Sequence, residues 1–96
     1  MKTAYIAGKI TGDPNYRDKF QQAQEWLENQ GYIVLSPAIL PSKGFSYEAY
    51  LRMTLALLKE CDEVYFLEDW VDSQGARKEM NFVIQNKIPY YMLERD

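Results

Sequence analysis

Short apolar runs alternate with longer amphipathic stretches along this chain. Thr3-Ala4-Tyr5-Ile6-Ala7 is an apolar run that stops at Gly8, the pattern of a buried strand. Gly8 to Pro14 is loop material, and Asp13 followed by Pro14 predicts a helix start with the proline at the first helical position. Tyr16, Phe20, Ala23 and Leu27 then share one helical face, and Gly31 predicts the helix end. Tyr32-Ile33-Val34-Leu35 reads as a second strand, and Ser36 to Gly44, with Pro37 and Pro41, as a loop. A second helix is predicted from Ser46, with a stripe of Tyr47, Tyr50 or Leu51, Thr54 or Leu55, and Leu58. Val64 to Leu67 is a third strand. Asp72 or Ser73 caps a third helix whose stripe is Ala76, Met80, Val83 and Ile84. Ile88 to Leu93 forms a last strand, where Pro89 points to an edge position or a strand beginning.

Strands that alternate with helices imply βαβ units and a parallel sheet. The expected architecture is a single α/β domain over residues 1–96, flavodoxin-like or Rossmann-like. It has about four strands in the order 2-1-3-4 and helices on both faces. Ligands of such sheets collect outside the carboxyl ends of the strands, at the switch point. Here that point lies between the first and third strands, so the loops to watch are Gly8 to Gly12 and Glu68 to Gly75.

Ninety-six residues, 47% apolar, allow one core but bury only a modest share of surface, so a homodimer or higher homo-oligomer is expected. Eight tyrosines exceed what a small core needs, which directs some to a pocket or an interface. The net charge of −3, with no run of Lys or Arg, argues against a nucleic-acid polymer as partner. A single phosphate is not excluded, because backbone N–H groups can hold one. Cys61 is the only cysteine and histidine is absent, so no internal disulfide forms. A reducing, cytoplasmic setting is expected, and acid–base chemistry falls to carboxylates, tyrosines or lysines. No signal peptide or membrane span is read, so no membrane partner is expected.

Glu79 is the leading candidate for chemistry. It lies one turn inside the third helix, between Ala76 and Val83, and so flanks the apolar stripe. A half-buried carboxyl near a helix start is pulled up by desolvation and down by the helix dipole and nearby N–H groups. The plain reading is a solvated glutamate paired with Arg77, Lys78 or Lys87. Gly8 and Gly12 frame a loop that lets a ligand approach the backbone, or is an ordinary turn; no Walker or dinucleotide pattern is present. Tyr5 faces either the cleft, where its hydroxyl can orient a carboxylate, or the core. Asp69, Asp72 and Ser73 precede the third helix as caps or as partners for sugar hydroxyls or a base edge. Trp70 stacks on a base or covers the sheet.

Four segments carry a resemblance: Tyr5-Ile6-Ala7-Gly8-Lys9-Ile10-Thr11-Gly12, Tyr50 to Leu58, Cys61-Asp62, and Asp72-Ser73-Gln74-Gly75-Ala76 with Glu79. Together they resemble the nucleoside 2-deoxyribosyltransferase-like superfamily, and more closely a small branch common in bacteria and bacteriophages. That superfamily includes nucleoside deoxyribosyltransferases and deoxynucleoside monophosphate N-glycosidases. The resemblance implies that Glu79 is the nucleophile and that Tyr5 orients it. It implies that Gly8, Ile10 and Gly12 belong to a ligand loop, and that Ser73 and Gly75 belong to a loop that holds a 5′-phosphate. At the position of Thr54, relatives often carry an aspartate that handles the base or protonates it. A threonine cannot do the latter, so Asp69 or Asp72 substitutes, or leaving-group activation is weak.

The expected function is cleavage or transfer at the N-glycosidic bond of a deoxyribonucleoside or its 5′-monophosphate. A carboxylate below the anomeric carbon meets the developing positive charge or bonds to it. The substrate-binding set is Gly8, Ile10, Gly12, Thr54, Asp72, Ser73 and Gly75. No metal or other cofactor is expected. The rivals are a non-catalytic nucleotide-binding protein, as sensor or sequestering factor, and an interaction module whose aromatics (Phe45, Tyr47, Tyr50, Trp70) form only an interface.

Overall fold

A computed structural model describes residues 1–93. The strands are β1 (Thr3–Ala7), β2 (Ile33–Leu35), β3 (Glu63–Leu67) and β4 (Tyr90–Leu93), and the helices are α1 (Tyr16–Asn29), α2 (Tyr47–Lys59) and α3 (Gln74–Gln85). All strand pairs are parallel and the order is β2-β1-β3-β4. This is the single α/β domain of flavodoxin-like order that the alternation predicts.

The two central strands sort the core into two layers, because successive side chains of a strand point to opposite faces. Tyr5 and Ala7 of β1, with Val64 and Phe66 of β3, meet Leu58 of α2 and Met80 and Val83 of α3. Ala4 and Ile6 of β1 meet Phe20, Ala23 and Leu27 of α1. Helix α1 therefore covers one face, and α2 with α3 the other. Full burial of β1 on both sides explains why it reads as one continuous apolar run.

Several boundaries shift for identifiable reasons. Helix α1 starts at Tyr16, not Pro14. The Asp13 carboxylate accepts from the Asn15 N–H at 2.9 Å and the Asp13 carbonyl from the Tyr16 N–H, so Asp13-Pro14 forms a turn ahead of the helix. Gly31, at φ +96°, follows the helix end as predicted. Tyr32 falls outside β2, while Glu63 joins β3. The buried Glu63 carboxylate accepts from Lys2 Nζ at 2.9 Å and Tyr32 Oη at 2.7 Å, which lets a charged residue open an inner strand. Ile88 and Pro89 precede β4, which lies at the sheet edge.

The loops carry short 3-10 turns at Pro37–Ile39 and Glu68–Asp72. Ile84 is 54% exposed, so it does not join the inward stripe of α3; the buried set there is Ala76, Glu79, Met80 and Val83. No helix among the described residues is long and apolar enough to cross a membrane.

Candidate active site

The first loop leaves β1 at Gly8, where side-chain space is closed. A Cβ there would lie 2.8 Å from Leu67 Cδ1 and 3.1 Å from Leu67 Cβ, in the buried core. Beyond Gly8 the loop is held by charge. Lys19 of α1 donates to the Lys9 carbonyl at 2.7 Å and pairs with Asp13 at 2.7 Å and with Asp69. Asp69 also accepts from the Lys9 N–H at 3.0 Å. One ammonium group thus ties the loop after β1 to the turn after β3. Its hydrogen bond holds the Asp13 carboxyl below the usual range.

The third helix starts at Ser73, whose hydroxyl accepts from the Ala76 N–H at 3.1 Å. Ser73, not Asp72, is therefore the cap. One turn on, the α3 periodicity turns Glu79 inward to 5% exposure. Its Oε2 accepts from the hydroxyl of Tyr5, itself fully buried, at 2.7 Å. The Thr54 hydroxyl of α2 donates to the Leu51 carbonyl at 3.1 Å, and its presence beside the carboxyl lowers the Glu79 pKa.

Among the described residues no ion pair reaches the carboxyl in the way the plain reading expects. Arg77 donates to the Val71 carbonyl, and the Lys78 ammonium sits 4.9 Å from the centre of the Tyr47 ring. Burial therefore dominates and pushes Glu79 up to about 7, against the Tyr5 and Thr54 hydroxyls that pull it down. Burial first, then the Glu79 charge, raises Tyr5 well above the tyrosine range, so its phenol keeps its proton and donates.

The carboxyl lies on the wall of a cavity of about 300 Å³ outside the carboxyl ends of β1 and β3. Gly8, Ile10, Thr54, Ser73, Gly75 and Glu79 all line it, and Tyr5 stands behind Glu79. Gly12 and Asp72, named with them from the sequence, do not line it. Gly12 closes a turn at φ +84°, and Asp72 ends the 3-10 turn on the exposed side. Asp69 is engaged by Lys19, and Trp70 packs edge-on against Phe66 at 5.6 Å.

The far wall went unread in the sequence. Pro37, Leu40, Pro41, Ser42 and Phe45 come from the loop after β2, and Tyr16, Tyr47 and Tyr50 from the helices. Tyr50 Oη donates to the Pro41 carbonyl at 2.9 Å, and Arg17 to the Ala38 carbonyl at 2.8 Å, which hold this loop in place. The excess of tyrosine was the available signal. Lys19 gave none, because a lysine on a polar helix face reads as solvated. Of the described residues that line the cavity, Glu79 alone carries a carboxyl, and none is a lysine or arginine. Among the described residues no cluster of three or more acidic or cysteine side chains is placed to hold a metal ion.

Over residues 2–90 the chain matches the model of a family described as a domain of unknown function, DUF4406, and it belongs to that family. No curated protein matches it.

Proposed function

We propose that this DUF4406 member breaks the N-glycosidic bond of a deoxyribonucleoside or its 5′-monophosphate, with Glu79 as the nucleophile. The observation that carries the reading is the buried Tyr5–Glu79 pair on the wall of a cavity of nucleoside size, at the sheet end where ligands of this fold collect. The kinship with nucleoside deoxyribosyltransferases and N-glycosidases suggested by the sequence belongs to this proposal.

In the first step a Glu79 oxygen bonds to C1′ as the C1′–N bond breaks and its electron pair leaves with the base. Tyr5 donates to the carboxyl throughout and fixes which lone pair faces the sugar. Water, or a second base in a transfer, then attacks C1′; the ester bond breaks and returns its pair to Glu79, and the proton shed by the attacking group balances the one taken up by the departed base. The first loop, with Gly8 and Ile10, and the Ser73–Gly75 turn would hold the sugar and its substituent. The substrate is a small molecule, and a homo-oligomer in the cytoplasm fits the size and composition.

The deciding experiment follows base release by chromatography from a panel of nucleosides and monophosphates. Release by the native chain and loss in Glu79→Ala, with the fold intact by circular dichroism, is the expected result; equal release by the variant removes the reading. A second reading, a non-catalytic nucleotide-binding protein, is favoured by the lack of a second carboxyl on the described cavity wall. It predicts thermal stabilisation by a nucleotide without any free base.

A further inference from the structure

We infer that the cavity takes an N-glycoside whose base already carries a positive charge, of the pyridinium or N7-alkylated purine type. This rests on the glycosidic reading of the site and narrows its substrate.

The first ground is charge. Glu79 faces the cavity with one hydroxyl donor, Tyr5, and no lysine or arginine on the described wall. A buried carboxylate without a counter-charge is expensive, and a cationic ligand supplies the partner that the protein does not. The site's carboxyl, raised to about 7, is then drawn to its ionised, nucleophilic form by the ligand itself.

The second ground is the aromatic wall. Two of its rings already hold cations: the Arg17 guanidinium lies 5.1 Å from the centre of Tyr16, and Lys78 sits over Tyr47. Phe45 and Tyr50 meet edge to face at 5.7 Å and carry no cation among the described residues. A flat cationic base is attracted to such rings by both charge and stacking.

The third ground is the leaving group. A neutral base must gain a proton as it departs, and the described wall has no carboxylic acid besides Glu79 to give one. Asp69 is committed to Lys19, Asp72 is not on the wall, and the Thr54 hydroxyl is too weak an acid. A cationic base needs no proton. When the C1′–N bond breaks, its electron pair neutralises the ring and the base leaves uncharged, while Glu79 forms the ester to C1′. Water then attacks C1′, Glu79 recovers its electron pair as carboxylate, and one proton passes to solvent.

The test compares matched probes: 7-methyl-2′-deoxyguanosine with 2′-deoxyguanosine, and nicotinamide riboside with its neutral 1,4-dihydro form. Affinity is read by calorimetry and base release by chromatography above a buffer blank. Each cationic probe should bind the native chain about tenfold tighter than its neutral partner. Base release should be confined to the cationic pair members, and Glu79→Gln should erase the affinity difference. Equal affinity and release for charged and neutral probes overturns the charge preference and leaves the glycosidic reading standing. Release from none of the four overturns the substrate inference; no release from the nucleoside and monophosphate panel either removes the glycosidic reading with it.

Discussion

The phenol of Tyr5 on β1 donates to Glu79 Oε2 on α3 at 2.7 Å, joining residues 74 positions apart inside the core. The Thr54 hydroxyl on α2, which donates to the Leu51 carbonyl, also lowers the carboxyl's pKa. Both hydroxyls stabilise the ionised carboxyl, so removing either should raise the pH at which Glu79 titrates. Tyr5→Phe and Thr54→Val should each move the Glu79 carboxyl-carbon NMR titration upward by about one pH unit, the effect of one hydrogen bond to a charged group. Thr54→Ser should restore it. Titration curves that coincide with the native one would show that the hydroxyls do not govern the carboxyl.

The same carboxyl couples stability to acidity. Glu79 titrates near 7 when folded against an ordinary 4.5. Between those values the folded chain holds a proton that the unfolded chain has lost. Its favourable contribution is therefore complete below pH 4.5, falls as the pH rises, and levels off above 7. The loss over that window is on the order of 3 kcal/mol. Glu79→Gln keeps shape without charge, so urea unfolding should show it gaining on the native chain from pH 4.5 to 8. Parallel pH dependences in the two proteins would contradict the buried, unbalanced state of Glu79.

Two glycines of the site answer to different constraints. Gly8→Ala forces a methyl into buried Leu67, and we expect a loss of about 1–3 kcal/mol in chemical denaturation. At Gly75 a Cβ meets only Ser73 Oγ at 3.9 Å, and the position lies in the first turn of α3. Gly75→Ala should keep or slightly raise stability, by up to about 1 kcal/mol, while its methyl intrudes on the cavity and weakens ligand binding. A stable Gly8→Ala protein would show that Leu67 yields easily.

Lys19 is a positioning group whose loss should be felt at the cavity. Lys19→Met keeps the aliphatic stem but frees Asp13, Asp69 and the Lys9 carbonyl together. Leaving these part-buried acceptors without their cation should destabilise the fold by roughly 1–3 kcal/mol. Hydrogen exchange of the 8–13 loop and of residues 68–72 should rise in step. Faster exchange in only one segment would separate the two loops.

The fold was legible because the run lengths alternated between strand and helix scale, with the first two apolar runs ending at the turn residues Gly8 and Ser36. Ile84 and Glu79 show where that logic stopped. Helical periodicity lets either flank of a stripe turn inward, and transfer preferences choose isoleucine over glutamate. The sheet chose Glu79, because the Tyr5 hydroxyl on β1 donates to its Oε2. Whether Tyr5 faced the cleft or the core stayed open in the sequence. It does both, with its ring in the core and its hydroxyl on the carboxyl behind the cavity wall. The Lys19 clasp depends on partners 6 and 50 positions away, and no local pattern encodes such a meeting.

Among the described residues the outer margin of β4 has no neighbouring strand, and Tyr90, Tyr91 and Met92 there are 41%, 47% and 47% exposed. Unpaired main-chain groups beside apolar side chains form a template for sheet extension. That margin belongs to none of the walls around Glu79. A strand added along that margin would lengthen the sheet and leave the Glu79 cavity uncovered.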